Sequence, residues 1–420
     1  MQSRHCSRLA AFAKGIERAN SQNRPRAESW DARLGVNLRG MPSLGGDSEN
    51  SCRRSRFLGH IRLLPVGNPE QASSADESTS QEELREKAEA HLRWVIEESG
   101  EFPDLPKLDR LRDDQVVSMG GGVDAATYLV KCPDRDVVVK LNSQGLEAEA
   151  RALRAWKPYT ERVPEVLGLG TVPSSGEPAI KYLLLPALKN DDGEVVETAD
   201  DYLERSLESA RELGRAMGLE LHRMHQAVDE TGFGNFADSP GSERTYDSWS
   251  AYLEDFFVLH ADFVQQLGVD DDQIQAVGGF IRSCSFVAEG RFLHGDVTIR
   301  NVGVYSYRPI TVGLFDPNPL SGDPSWDIAP MMNNAAFNEI RHRREGVLPE
   351  PLTRDRELLA GFWESYPDHV AEESLHTAQL VQAILQAEYR QDRLDRSETD
   401  TVDVEVTHEF IRTIVERAAT

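Results

Sequence analysis

Strand-like and helix-like patterns are segregated along this chain. Short β-branched runs lie between about residues 115 and 188, and helical spacing dominates from Asp200 onward. Alternating strands and helices would build a parallel sheet covered on both faces, whereas strands followed by helices build an α+β protein. Runs rich in Val, Tyr and Thr at 115–118, 126–131 and 136–141 predict strands. Helical spacing follows at Leu146–Trp156, then a Pro/Gly-punctuated strand at 163–170 and an apolar strand at 181–188, stopped by Pro186. Residues 82–99, 209–226, 248–267 and 271–287 read as helices. Residues 292–305 read as loop plus strand, 311–319 as strand plus loop, and the remainder as mostly helical. The expected organisation is a variable, disordered basic extension over 1–85, a β-rich lobe over 86–188 and a larger helical lobe over 189–420.

Charge narrows the partners. The 420 residues carry a formal charge of −25, from 71 acidic against 46 basic side chains. Residues 1–65 hold 12 basic and 5 acidic residues, a balance of +7, which leaves −32 on the rest. Phosphate backbones recruit Lys and Arg, so no nucleic-acid partner is expected for the body of the chain. Only 8 of the 46 basic residues are lysines. An acidic, lysine-poor surface suits a high-salt interior, with a GC-rich genome as the plain alternative. The four cysteines form no CxxC pair, so a reducing, cytoplasmic setting is expected. No apolar run is long enough to span a bilayer, and no membrane partner is expected.

The chemistry gathers around residues 294–316. After His294-Gly295 comes Asp296, followed five residues later by Asn301. Twenty residues past Asp296, Asp316 ends an apolar strand just before Pro317. Two short strands joined by a turn would bring Asp296, Asn301 and Asp316 to one end. An amide and a carboxylate are hard oxygen ligands suited to Mg²⁺. A second carboxylate, free of metal, can take a hydroxyl proton, and together these make the layout of a phosphoryl-transfer loop. Upstream, Lys140 sits inside the apolar strand DVVVKLN, and the next helix offers Glu147 and Glu149 as partners. Gly120, Gly121 and Gly122 form a turn between strands whose N–H groups could cradle phosphate. There is neither GxGxxG nor GxxxxGK[ST], which excludes Rossmann and P-loop readings. His222 and His225 share a helix face, but no Cys or carboxylate cluster completes a metal site, so both are expected in packing. His294 is expected to brace the loop, Trp326 and Phe315 to lie in the core, and the acidic run at 191–197 to form a solvated hairpin or loop.

These motifs resemble the aminoglycoside phosphotransferase family, within the protein-kinase-like superfamily of small-molecule kinases. The carrying segments are HGDVTIRN (294–301), LFDPNPLSGDPSWDIA (314–329), VVVK with LEAEARALRAW, VPEVLG (163–168), LGRAMGLELHRMH (213–225) and GFGNF (232–236). Together they span roughly 115–335, and the stretch GLFDPNPLSGDPSWDIAP (313–330) looks most like streptomycin and fructosamine kinases.

The resemblance implies a two-lobed α+β, protein-kinase-like fold and transfer of the γ-phosphate of ATP, with Mg²⁺, to a small-molecule hydroxyl. GTP is the alternative nucleotide. It implies Asp296 as base or hydroxyl-orienting residue, Asn301 and Asp316 as Mg²⁺ ligands, and Lys140 on the phosphates, oriented by Glu149. Gly120, Gly121 and Gly122 would touch phosphate, and Asp327 would brace the catalytic loop. Near Pro186, which has no N–H, either Ala187 or Leu188 would donate to adenine. Alternative readings are a fructosamine, sugar or amino-alcohol kinase, and a catalytically silent nucleotide-binding protein. The short stretch from Asp316 to Asp327 leaves no room for a protein kinase's activation loop. Oligomeric state is left open.

Overall fold

In the computed structural model, the structure describes residues 90–98, 116–119, 125–132, 135–142, 145–172, 180–236, 246–346, 350–367, 370–395 and 401–418. Every described residue lies within the unit Leu63–Thr420. The expected 1–85 extension therefore lies outside the described residues, as do Gly120, Gly121 and Gly122. The described fold is α+β and two-lobed, as the order of patterns predicts.

Five antiparallel strands come first: β1 (Val116–Ser118), β2 (Ala125–Val130), β3 (Val137–Asn142), β4 (Gly168–Val172) and β5 (Ile180–Pro186), in sheet order β1-β2-β3-β5-β4. Between β3 and β4 runs helix α1 (Leu146–Trp156), which carries Glu147 and Glu149 in its first turn and Arg154 in its last, matching the helix dipole. Side chains alternate across the central strands. On one face Val137, Val139 and Leu141 of β3 join Tyr182 and Leu184 of β5, and Leu92 and Val95 from the upstream helical segment cover them. On the other face Leu183 and Leu185 pack with Ala150, Leu153 and Trp156 of α1, in the same core as the helical lobe. Lys140 pairs with Leu183 in register and so stands on this second face.

The chain then leaves the sheet through β6 (Glu197–Thr198), α2 (Ala199–Arg205) and α3 (Ala210–Met224). Next come β7 (Val228–Asp229), β8 (Gly234–Asn235), α4 (Trp249–Leu259), α5 (Ala261–Gln266) and α6 (Asp271–Ser283). Strands β9 (Gly290–Leu293), β10 (Val302–Tyr307), β11 (Ile310–Leu314) and β12 (Leu320–Gly322) carry the motif region. Four helices close the lobe: α7 (Ser325–Glu345), α8 (Glu350–Ser365), α9 (Glu372–Asp395) and α10 (Thr401–Ala418). The small sheets run β11-β10-β6 and β7-β9-β12-β8. Helices α3 and α8 meet backbone to backbone: a Cβ on Gly214 would lie 2.0 Å from the Leu358 carbonyl oxygen, and one on Gly361 1.9 Å from that of Arg211.

The structure departs from the sequence expectations in three places. The single helix expected at 248–267 breaks at His260, whose Nδ1 bonds the Phe256 carbonyl at 2.7 Å while its ring stacks on Phe256. The third helix stops at Ser283 instead of running to 287. The strand expected at 163–170 begins only at Gly168, because Val163 is drawn into the core under α1. The acidic run does form an exposed hairpin, closed by a Lys189–Val195 bridge and tied to Tyr305 through the Asp191 N–H.

Candidate active site

The hairpin β10–β11 sets the site. Val302 faces Leu314 at its open end, and the Phe315 N–H donates to the Asn301 carbonyl at 3.0 Å. Asn301 and Asp316 are thus one residue beyond the pairing on one strand and two beyond it on the other. Asp316 has φ +57°, the one left-handed non-glycine among the described residues. Asp tolerates that conformation better than most side chains do. The turn directs its carboxylate back to β3, where Lys140 Nζ lies 2.7 Å from Asp316 Oδ1 and 2.6 Å from Glu149 Oε1. Residues 140, 149 and 316 thereby form one ion-pair chain joining sheet, helix and hairpin. Glu147 instead pairs with Lys181 at 2.8 Å, which leaves Glu149 as the Lys140 partner.

Electrostatics favour the charged forms of Lys140 and Asp316, whereas burial pushes the Glu149 carboxyl up against the pull of Lys140. Burial opposes the charge on Lys140, but the Glu149 and Asp316 carboxylates outweigh it and raise its pKa above the ordinary lysine value. Lys140 in turn holds the Asp316 carboxyl below the usual carboxylate range. Asp296 is different. Burial raises its pKa, and His294 and the Asn301 amide only partly offset that. Asn301 Nδ2 donates to Asp296 Oδ2 at 2.8 Å and to the Asp296 carbonyl at 3.0 Å. That leaves the Asn301 amide oxygen as an acceptor with no donor among the described residues.

Beneath the loop lies a buried polar floor. Asp327, at the start of α7, accepts the His294 N–H and the Gly295 N–H, each at 2.7 Å, and His225 Nε2 at 2.9 Å. His225 is fixed in turn by the Tyr366 hydroxyl at 2.9 Å. His294 Nδ1 accepts the Asp296 N–H and its Nε2 donates to the Phe315 carbonyl, an arrangement one neutral tautomer satisfies. Burial depresses its pKa, in keeping with that neutral form. Gly295 has φ +78°, and a Cβ there would sit 1.8 Å from the Asn318 carbonyl oxygen, so the crossing chain demands glycine. The bracing expected of Asp327 and His294 is present. Trp326 is buried as expected, while Phe315 is only partly so.

Sequence reasoning missed His225 and Tyr366 as members of this floor. Helical spacing placed His225 in packing but could not show the carboxylate 102 residues away that it meets. At the nucleotide edge, Ala187 is corrected as a donor candidate. Its N–H already bonds the Asp136 carbonyl at 2.9 Å, continuing the sheet past Pro186. The Leu188 N–H has no acceptor among the described residues, although the Leu188 carbonyl takes the Val196 N–H at 3.0 Å.

A divalent cation fits this donor set. Among the described residues no three His, Cys, Asp or Glu side chains converge on a metal position. The Asn301 amide oxygen and the Asp316 carboxylate offer two hard oxygens. That suits Mg²⁺, which keeps waters and takes phosphate oxygens rather than an all-protein cage. No helix among the described residues is long and apolar enough to cross a membrane.

A model of the phosphotransferase enzyme family matches residues 115–373. No curated protein sequence matches the chain. Among solved structures the chain is similar to the aminoglycoside phosphotransferase APH(4)-Ia, at 17% identity over 75% of this chain and 96% of that one, with a TM-score of 0.48. A candidate aminoglycoside phosphotransferase from Ralstonia eutropha JMP134 is similar at 12% identity over 72% and 91%, with a TM-score of 0.49. A candidate fructosamine-3-kinase from Haemophilus somnus 129PT is similar at 18% identity over 71% and 90%, with a TM-score of 0.42.

Proposed function

The chain belongs to the phosphotransferase enzyme family, and on that footing we propose that it transfers the γ-phosphate of ATP to a hydroxyl of a small molecule. The observation that carries the reading is the ion-pair chain Glu149–Lys140–Asp316, built across 176 residues of sequence beside the Asp296–Asn301 loop.

In this reading Lys140 contacts the nucleotide phosphates, and Glu149 fixes its direction. The Leu188 N–H meets the base. Asn301 and Asp316 hold Mg²⁺, which supplies charge neutralisation on the phosphate oxygens. Asp296 accepts a hydrogen bond from the acceptor hydroxyl and takes its proton as the phosphoryl group departs from ADP. The Asn301 amide keeps Asp296 pointed at that hydroxyl. Phosphoryl transfer has a loose transition state, so positioning and charge stabilisation are the protein's main contribution. The Asp327 floor supports this by fixing the backbone at 294–295, which otherwise would move with Asp296.

The test is a screen for ADP and GDP release across aminoglycosides, fructosamines, sugars and amino alcohols. Asp296→Ala is expected to lower turnover by about a thousandfold, within the range for a positioned base, while MgATP affinity holds. Undiminished turnover in that variant would sink the assignment. Thermal stabilisation by MgATP without turnover on any acceptor would favour a silent nucleotide-binding protein instead.

A further inference from the structure

The two hydrophobic cores do not divide where the strands end. One core fills the face of the five-stranded sheet that carries Val139, Leu141 and Leu184, and contains no residue of α1. The other joins Leu146, Ala150, Leu153 and Trp156 of α1 to Leu213, Met217, Phe292 and Ile328 of the helical lobe. Glu149 therefore rides on an element packed between Leu183 and Leu185 of the sheet on one side and the larger lobe on the other, while Lys140 rides on the sheet itself.

Polar links reinforce that attachment. Arg151 NH2 donates to Asp229 Oδ1 at 3.0 Å and to Thr231 Oγ1 at 3.1 Å. Its guanidinium also lies 4.5 Å from the Phe236 ring centre and 5.5 Å from that of Phe292. The Asp229 side chain is only 3% exposed, so lifting α1 would strand a buried carboxylate without its cation, an expensive step. Further along, Trp156 Nε1 donates to the Phe292 carbonyl at 3.1 Å and Thr160 bonds buried Glu220. Residues 149 and 151 lie about 200° apart around a helix of 3.6 residues per turn. One side of the same turn thus meets Lys140 and the other meets the larger lobe.

We propose that Arg151 is a positioning residue: its bridge to Asp229 holds the first turns of α1 on the larger lobe and so presents Glu149 to Lys140 in a fixed place. The pair Lys140–Glu149 is then a latch between sheet and helical lobe, set before nucleotide arrives. The proposal rests on the roles given to Lys140 and Glu149 above.

Hydrogen exchange on the full-length chain tests the tether without any acceptor. Arg151→Gln should speed exchange across 146–156 at least tenfold while α3 and α7 keep their protection, and Arg151→Lys should restore most of it. Turnover on an acceptor found by the screen should fall ~10–100-fold, as small misplacements do, with the acceptor KM within twofold. Added to Glu149→Gln, the Arg151→Gln change should cost no further turnover. Unchanged exchange in α1, loosening of α1 and α3 together, or losses that multiply in the double variant would each overturn the proposal. Should Arg151→Gln fail to fold, Arg151→Gln with Asp229→Asn removes both charges, and α1 protection equal to wild type there would equally overturn it. Absence of turnover in the wild-type chain would count against the phosphotransfer reading and leave the exchange result to judge the tether.

Discussion

Asp327 and Asp316 lie eleven residues apart, yet they occupy opposite kinds of ground. Asp327 is fully buried and accepts three N–H donors from two segments. Asp316 is half-exposed, sits on a left-handed residue and meets one lysine. The floor of the site consists of satisfied polar groups that hold a backbone in place. The rim consists of charges held ready, with oxygen valences still open. A buried polar network that is complete rigidifies, and one that loses a member becomes a liability. Substitutions in the floor should therefore reach stability first, and those at the rim should reach chemistry first.

The largest departure should come from Asp327→Ala. It leaves two backbone N–H groups and His225 Nε2 without their acceptor in a sealed site, at a cost of about 3 kcal/mol or more. Urea unfolding measures it, and an unchanged midpoint would erase the distinction between floor and rim. Asp316→Asn comes next and should act the other way. Its stability change should stay below about 1 kcal/mol, because the group is half-exposed. The Mg²⁺ concentration for half-maximal turnover should rise by at least about tenfold, the loss typical of even an outer partner of a metal site. The smallest effect is expected at Glu364, an exposed carboxylate that Arg211 and Arg215 clamp between α3 and α8. The Arg211 hydrogen bond holds its carboxyl below the usual value. A depressed carboxyl stabilises the fold above its unfolded pKa of about 4.3 and loses that contribution as pH falls through the folded value. Glu364→Gln should then lower the Tm by no more than ~2 °C at pH 7, and the difference from wild type should close toward pH 3.

The rim was far more legible in the sequence than the floor. Asp296, Asn301 and Asp316 share a short stretch whose strand–turn pattern places them together, and Lys140 stands out as a charge within an apolar strand. Asp327 could be named only through the family resemblance, and its partners His225 and Tyr366 come from helix ends with no local signal of what they face. Nothing in the local sequence sets Arg151, Asp229 and Glu220 apart from other charged residues. Their importance comes from long-range packing that periodicity does not encode. Element boundaries failed where a side chain competes with the backbone, as at His260, or where tertiary burial claims a residue, as at Val163. Ala187 shows a third limit: a sequence reveals that proline lacks an N–H, but not that the next amide is already taken by a neighbouring strand.

The crossing of α3 and α8 carries a consequence for how this gene can drift. At Gly214 and Gly361 even a methyl group would meet a carbonyl oxygen at about the length of a covalent bond and a half, so no side chain is small enough. The surrounding surface can accept substitutions freely, whereas these two codons are locked to one amino acid unless both helices move apart. Because α3 leads directly into His225, which holds Asp327, a spread at that crossing would travel to the catalytic loop. Random mutagenesis with selection for activity should therefore leave two codons that accept only silent changes, a pattern that a map of the active site alone would not foretell.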